Sequence, residues 1–252
     1  MSEGRIIQSV ARALSILELF EGSSIDLSVT EIANKLDLSK STAFGLINTL
    51  AHKGYLEQNP RDSRYSLGLK LLRLGGMVRK HSILCRKARP YLEQLVDEFS
   101  ETVHLAVEKN GLVVYIEKIR GDKTIFVQSD VGAENPMYCT GVGKCLLAYM
   151  PEERRERIIR QMGELERRGP NTITDRDELR KELESIRGKG YCYDDEEYAP
   201  GLLCVAAPVE SPGAGVVAAV SLSGAKAGIP SRKMEELTAR VVEVAGMISA
   251  EL

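Results

Sequence analysis

The chain has 252 residues, 43% of them hydrophobic and 28% charged, with a formal net charge of -2. That profile fits one large or two medium globular domains, and no apolar run approaches the roughly 20 residues a membrane-spanning helix needs. The five cysteines (Cys85, Cys139, Cys145, Cys192 and Cys204) are odd in number and never form a Cys-x-x-Cys pair, which argues against a disulfide framework or a structural zinc site as the organising device. The opening "MSEGRIIQSVARALSILELFEG" has neither an uninterrupted apolar core nor a small-residue cleavage site, so a reducing cytoplasm is expected rather than export. Charge is uneven: residues 1–80 carry 11 Lys and Arg against 8 Asp and Glu, and the remainder 23 against 28. A mildly basic front on an acidic body is weak support for a polyanionic partner at the front.

In chain order, Ile6, Val10, Ala13, Leu14, Leu17 and Phe20 recur at helical spacing and predict an amphipathic helix over 6–20, ended by Gly22-Ser23-Ser24. Ser28 followed by Glu31 is a capping-box pattern, and Ile32, Ala33 and Leu36 form the buried stripe of the helix it starts. After a turn at Asp37-Leu38, Ser39 is the next N-cap, and Ala43, Leu46, Ile47 and Leu50 share one face of a third helix, stopped at Gly54. "YLEQNPRDSRYSLG" reads as two short strands about the turn Asn59-Pro60-Arg61-Asp62-Ser63. Three short helices, two separated by a tight turn, followed by a hairpin make a winged helix-turn-helix.

If the apolar face of the third helix is buried, Ser41, Gly45, Asn48, Thr49 and His52 point away from it, with Thr42 and Phe44 on the flanks. This outer face is small, polar and nearly uncharged, where a solvated helix would carry Glu and Lys. Lys40, Ser41 and Thr42 sit at the helix start, where free N–H groups and the dipole favour phosphate. In helix-turn-helix proteins that end enters the major groove, so Lys40, Ser41, Thr42, Gly45 and Asn48 are candidate DNA contacts, with Arg61 and Arg64 in the wing. A single copy makes few base contacts, so a dimer on a two-fold-related, pseudo-palindromic duplex is expected. The bland alternative is a winged helix used only for protein contact.

Residues 67–85 read as a linking helix. Beyond 86 the pattern is α+β: a helix in "ARPYLEQLVDEFSE", strands at 102–108, 112–119 and 123–128, helices near 141–150, 152–161 and 176–188, strands at 202–209 and 215–223 about the turn 211–215, and a last helix over 231–251. The sheet is expected to be mainly antiparallel. Within "NPMYCTGVGKCLLAYM", Thr140-Gly141-Val142-Gly143 breaks from a loop into an apolar helix. Its unpaired N–H groups would suit a carboxylate, and its glycines would equally suit tight helix–sheet packing. A nucleotide P-loop is excluded, because Tyr138 and Cys145 stand where glycine and a hydroxyl are required. Ser221 and Ser223, two apart on one strand, share a sheet face.

The ordered set of stretches resembles the isocitrate-lyase-regulator (IclR) family of bacterial transcription factors: "GRIIQSVARALSILELFEG", "VTEIANKLDLSKSTAFGLINTLAHKGYLE", "YSLGLKLLRLG", "PMYCTGVGKCLLAYMP", "NTIT" and Gly190-x3-Asp194-x2-Glu197-x6-Cys204. The resemblance covers essentially the whole chain, with Glu210-Ser211 where the family pattern has an aromatic residue and then Asp or Asn. It implies a winged helix-turn-helix over 1–66, a linker helix over 67–85, and a GAF-like effector and oligomerisation domain over 86–252. It further implies dimers or tetramers on operator DNA, no cofactor, and a small organic acid as effector. Carried over by position, that acid would meet Gly141, Val142, Asp194, Cys204, Ser221 and Ser223, with Val127 in the apolar wall. The competing reading is an enzyme with Cys204 or Cys139 as nucleophile and His104 as base, which needs a thiol and an imidazole brought together. No spacing of His or Cys suggests a metal site.

Overall fold

A computed structural model describes residues 6–21, 26–122, 129–229 and 233–252 of the chain, residues 79–81 through their backbone only. It divides into two compact units, Met1–Val78 and Arg79–Leu252. The expected strand at 123–128 and the helix stop at Gly22-Ser23-Ser24 lie outside the described residues.

In the first unit, helix α1 (Gln8–Glu18) runs into a 3-10 turn (Leu19–Glu21) and is followed by α2 (Val29–Lys35) and α3 (Lys40–His52). The capping box is present in full: Ser28 Oγ accepts from the Glu31 amide and the Glu31 carboxylate accepts from the Ser28 amide. Asp37 takes the left-handed conformation, φ 50°, and so turns the chain tightly between α2 and α3. Ile16, Phe20, Leu27, Ile32, Ala33, Ala43, Ile47, Leu50, Leu56 and Tyr65 make the core. The apolar stripe expected on α1 is only partly buried. Phe20 is in the core and Ala13 and Leu17 pack against it, whereas Ile6, Val10 and Leu14 are 76%, 53% and 54% exposed. The physical reason is that α2 and α3 cover a single side of α1, and Ile16, absent from the expected stripe, fills that side.

Strands β1 (Leu56–Gln58) and β2 (Tyr65–Leu67) pair antiparallel as the wing, and Leu27 adds a bridge to Tyr65. Helix α4 (Leu69–His81) then carries the chain across the boundary between the units. The helix expected to begin near residue 88 begins at Ile83 instead, because Ser82 caps it through the Cys85 amide.

In the second unit, α5 (Ile83–Phe99) leads into β3 (Thr102–Lys109), β4 (Leu112–Ile119) and the short β5 (Glu134–Pro136). Three helices follow, α6 (Gly141–Tyr149), α7 (Glu152–Gln161) and α8 (Arg176–Lys189), then β6 (Cys192–Asp195), β7 (Leu202–Ser211), β8 (Gly215–Ala225) and α9 (Met234–Ala250). The six strands form one sheet in the order β5-β4-β3-β8-β7-β6, with every recorded pairing antiparallel. Strand alternation divides the side chains between two cores. Val103, Leu105, Val205, Ala207, Val220 and Leu222 face α5 and α9. Ala106, Ala206 and Ala219 face α6, α7 and α8.

The acidic run Asp194-Asp195-Glu196-Glu197 is half strand. Cys192–Asp195 is the edge strand β6, with Asp194 opposite Cys204, and Asp194 and Glu197 are buried. Helix capping accounts for part of the stability of the smaller unit. Ser28→Ala removes one half of the capping box and should lower its stability by about 1 kcal/mol. Hydrogen exchange of the α2 amides reads this directly, and unchanged protection would contradict it.

Candidate functional site

Helix α3 presents its expected outer face. Lys40, Ser41, Thr42, Phe44, Gly45, Asn48, Thr49 and His52 are all exposed, and Ala43, Ile47 and Leu50 are buried beneath them. The Ser41 and Thr42 hydroxyls gather around the cap, 3.1 and 2.9 Å from Ser39 Oγ, and Thr49 donates back to the Gly45 carbonyl at 2.8 Å. Gly45 has no intramolecular reason to be glycine, because a Cβ there would meet nothing within 4 Å. A glycine in a helix interior costs about 0.5–1 kcal/mol relative to alanine. Its presence on this face therefore favours close approach by another molecule.

The two wing arginines differ. The Arg64 guanidinium is committed within the unit, 2.7 Å from Asp26 and 2.8 Å from Glu31. Together with the Ser28 hydrogen bonds, which act most strongly, it holds the Glu31 carboxyl down at about 2. Arg64 thus ties the wing to the start of α2. Arg61 lies in the exposed turn, its amide bound to Asn59 Oδ1 at 3.0 Å, and its guanidinium has no recorded partner among the described residues.

In the second unit, Gly141, Val142, Asp194, Cys204, Ser221 and Ser223 line a single narrow cavity. Val127, the remaining expected member, lies outside the described residues. The sheet register explains the convergence. Asp194, Cys204, Ser223 and Thr102 lie side by side across β6, β7, β8 and β3. Two residues along, on the same face, come Ala206, Ser221 and His104. Helix α6 begins directly over this patch, and a Cβ on Gly141 would lie 3.4 Å from the Ala206 Cβ and 3.6 Å from that of Asp194.

The two glycines of α6 have different tasks. At Gly143 a Cβ would fall 2.5 Å from the Met137 backbone, so this residue is fixed by packing. Its amide donates to the capping Thr140 hydroxyl at 3.2 Å. Gly141 and Val142 contribute the first two amides of the helix, which have no acceptor within it, and both residues face the cavity. Of the two alternatives in the sequence, tight packing accounts for Gly143, and Gly141 keeps a free amide at the cavity.

Burial dominates the electrostatics. It raises Asp194 to about 6, against the amides of Tyr198 and Glu197 that donate to its carboxylate at 3.2 and 2.9 Å. It raises Glu197 to about 7, even with the Lys144 ammonium in contact. Lys144 is itself fully buried on α6. Burial works against its charge, but the carboxylates of Glu197, in contact, and Glu182, 3.7 Å away, hold it protonated. His104 is driven down to about 3 by burial and then by Lys118, so its ring is neutral.

The thiols do not form an activated pair with it. Burial keeps Cys139 at about 12 and Cys204 well above its ordinary value, and His104 Nε2 lies 2.9 Å from Ser129 Oγ. His104, Tyr115, Ser129, Thr140, Tyr198 and Leu202 are cavity residues that were not expected. The signal for His104 is tertiary, since it stands opposite Ser221 only once β3 is paired with β8. Among the described residues, no group of three or more His, Cys, Asp or Glu is arranged to hold a metal ion, and no helix is long and apolar enough to cross a membrane.

Comparison with known proteins gives a consistent result. The profile described as IclR helix-turn-helix domain matches residues 9–60, and the one described as Bacterial transcriptional regulator IclR C-terminal matches residues 77–250. The chain is 37% identical over 218 residues to the HTH-type transcriptional regulator XynR of Escherichia coli, covering 86% of each. It is 31% identical over 246 residues to KdgR of the same organism, covering 98% of this chain and 93% of the relative. Among solved structures it is similar to the Thermotoga maritima IclR, with TM-score 0.80, 34% identity, and 97% and 98% of the two chains covered. It is also similar to an IclR homolog of Microbacterium hydrocarbonoxydans complexed with 4-hydroxybenzoate, with TM-score 0.84, 26% identity, and again 97% and 98% covered.

The buried acids make stability pH-dependent with a definite sign. A carboxyl whose folded value is raised contributes stability below its unfolded value and loses it as pH climbs through the folded one. For Glu197, raised from 4.5 to about 7, the loss falls mainly between pH 4.5 and 8. Glu197→Gln removes this titration, so the stability difference between variant and parent should move in the variant's favour by about 1 kcal/mol from pH 6 to pH 8. Urea unfolding at the two pH values measures it, and a pH-independent difference would contradict the assignment.

Proposed function

The chain belongs to the IclR family of bacterial transcriptional regulators, and from that premise we propose that it is a cytoplasmic, effector-responsive regulator rather than an enzyme. Residues 1–66 bind a pseudo-palindromic operator duplex, residues 86–252 bind a small organic acid, and residues 67–85 connect them. The observation that carries the effector reading is convergence. Six residues from three separate stretches of sequence meet at one cavity, beneath a helix start whose first two amides lack intrahelical acceptors. A carboxylate seated there would take charge-assisted hydrogen bonds from those amides, with the Ser221 and Ser223 hydroxyls beside it. The solved relative complexed with 4-hydroxybenzoate supports an acid as the class of ligand. Asp194 is already engaged by two amides, so its part is to shape the wall.

On the DNA side, Lys40, Ser41 and Thr42 approach phosphate or base edges, Gly45 permits contact, Asn48 reads further along the groove, and Arg61 reaches the backbone. Arg64 contributes by fixing the wing. Homo-oligomerisation, as dimer or tetramer, is supported by apolar side chains the single chain leaves uncovered: Ile6, Ile7, Val10 and Leu14 on and before α1, and Leu69, Leu72 and Val78 on α4, the last three 72–75% exposed. Regulation then requires the acid to bind the DNA-competent and DNA-incompetent arrangements with different affinity, a coupling of about 1–3 kcal/mol.

Three variants separate the parts. Gly45→Ala should stabilise the free protein by about 0.5–1 kcal/mol while weakening duplex binding, and unchanged affinity by fluorescence anisotropy would remove α3 from the interface. Arg61→Ala should lower the slope of log affinity against log salt by about one, and a slope that stays put means the wing does not touch phosphate. Ser221→Ala should leave duplex binding intact and blunt its response to acids. Identical response curves for variant and parent would exclude the cavity as the effector site.

A further inference from the structure

Of the residues that line the cavity, His104 alone has a buried side-chain nitrogen without a hydrogen-bond partner among the described residues. It is 3% exposed, and its ring is fixed on two sides. Nε2 lies 2.9 Å from Ser129 Oγ, and the Tyr115 ring packs tilted against it at 5.1 Å between centroids. Nδ1 is the group left over. Buried polar atoms in native proteins are nearly always paired, so an orphan in a cavity wall is a candidate for pairing with whatever the cavity holds.

The chemistry of the ring narrows the partner. A neutral imidazole has one donor and one acceptor nitrogen. If Ser129 donates to Nε2, Nδ1 carries the proton and donates. If Nε2 donates to Ser129, Nδ1 accepts. A hydroxyl satisfies either arrangement, whereas a carbonyl or carboxylate satisfies one, and an uncharged ring has no charge with which to attract an anion.

Position narrows it again. Ala206, Ser221 and His104 lie side by side on β7, β8 and β3, and Gly141 stands over Ala206. Adjacent strands are about 4.8 Å apart, so His104 is rooted about 10 Å across the sheet from the amides at the start of α6. A group that meets His104 is thus several bonds away from a carboxylate held at those amides.

We propose that His104, anchored by Ser129, recognises a hydroxyl at the end of the effector remote from its carboxylate, so that the effector is a small hydroxy acid with a hydroxyl beyond carbon 2. This rests on the effector reading of the cavity given above. Loss of that hydroxyl leaves Nδ1 unpaired again, which is how a site built around a hydrogen bond discriminates against the analogue lacking it.

The test is a thermal-shift titration of the full-length protein with three matched pairs of acids: 4-hydroxybutanoate and butanoate, gluconate and hexanoate, 4-hydroxybenzoate and benzoate. A ligand that binds the folded state raises Tm by mass action. The expected result is that the hydroxylated member acts at concentrations at least ten-fold below those of its partner. His104→Phe should reduce that preference to less than two-fold, and His104→Asn, which keeps a donor and an acceptor, should restore part of it. In parallel, the ¹⁵N resonance of His104 Nδ1 in the unmutated protein should move with the hydroxylated acid and not with its partner, a readout that does not depend on His104→Phe folding.

Equal potency within the pairs, a preference that persists in His104→Phe, or an unmoved Nδ1 resonance would overturn the inference. If Ser221→Ala then abolishes the shifts produced by both members, the effector reading stands and only the assignment of His104 falls. If none of the six acids raises Tm in the parent, the assignment and the effector reading fall together.

Discussion

The close approach of a helix to a sheet organises the second unit. At the start of α6 no side chain separates helix from strands. Gly141 rests over Ala206 and Asp194 at ordinary contact distance, and Gly143 is pressed against the Met137 backbone where no Cβ fits. Because the helix begins there, Gly141 and Val142, whose amides have no acceptor within the helix, line the same cavity as Ser221, Ser223, Cys204 and His104. A larger residue at 143 would clash with the Met137 backbone and lift the helix from the sheet.

Behind this contact stands a buried charge. Lys144 is among the largest fully buried side chains, and its ammonium meets Glu197 and, at 3.7 Å, Glu182. Burying an ion pair is seldom a gain in stability over apolar packing, but breaking one is costly. Its evident effect is positional. It links α6 to α8 and to the turn after β6, the same turn whose Glu197 and Tyr198 amides fix Asp194. The cavity wall is therefore held from behind by electrostatics and from the front by backbone hydrogen bonds.

Much of this was legible in the sequence. The winged helix was readable because its determinants are local: the Ser28–Glu31 box, the Ser39 cap, and the spacing of Ala43, Ile47 and Leu50. Cavity residues 141, 142, 194, 204, 221 and 223 were reachable through the family resemblance, and Ser221 and Ser223 also through strand alternation. What was not legible depends on pairing between distant strands. Strand β6, which sets Asp194 on the sheet edge opposite Cys204, was not among the expected strands. His104 reads as the base of the competing enzyme until β3 is set against β8 and its row is seen to contain Ser221. Arg64 reads as a free wing cation until the fold brings Asp26 and Glu31 beside it. The apolar residues of α1 have the opposite history: periodicity implied a covered stripe, and a helix with neighbours on one side leaves Ile6, Val10 and Leu14 in the open.

Both units thus present helix starts, α3 at an exposed face and α6 at the cavity, and the proposed function depends on the second. The most direct measurement is to follow the backbone amides of Gly141 and Val142 by ¹⁵N–¹H correlation in the full chain, while titrating an acid that alters duplex affinity. These two amides should move progressively and saturate at the concentration that saturates the change in affinity. An acid that changes duplex affinity while both amides stay fixed would show that the carboxylate is not held at the start of α6.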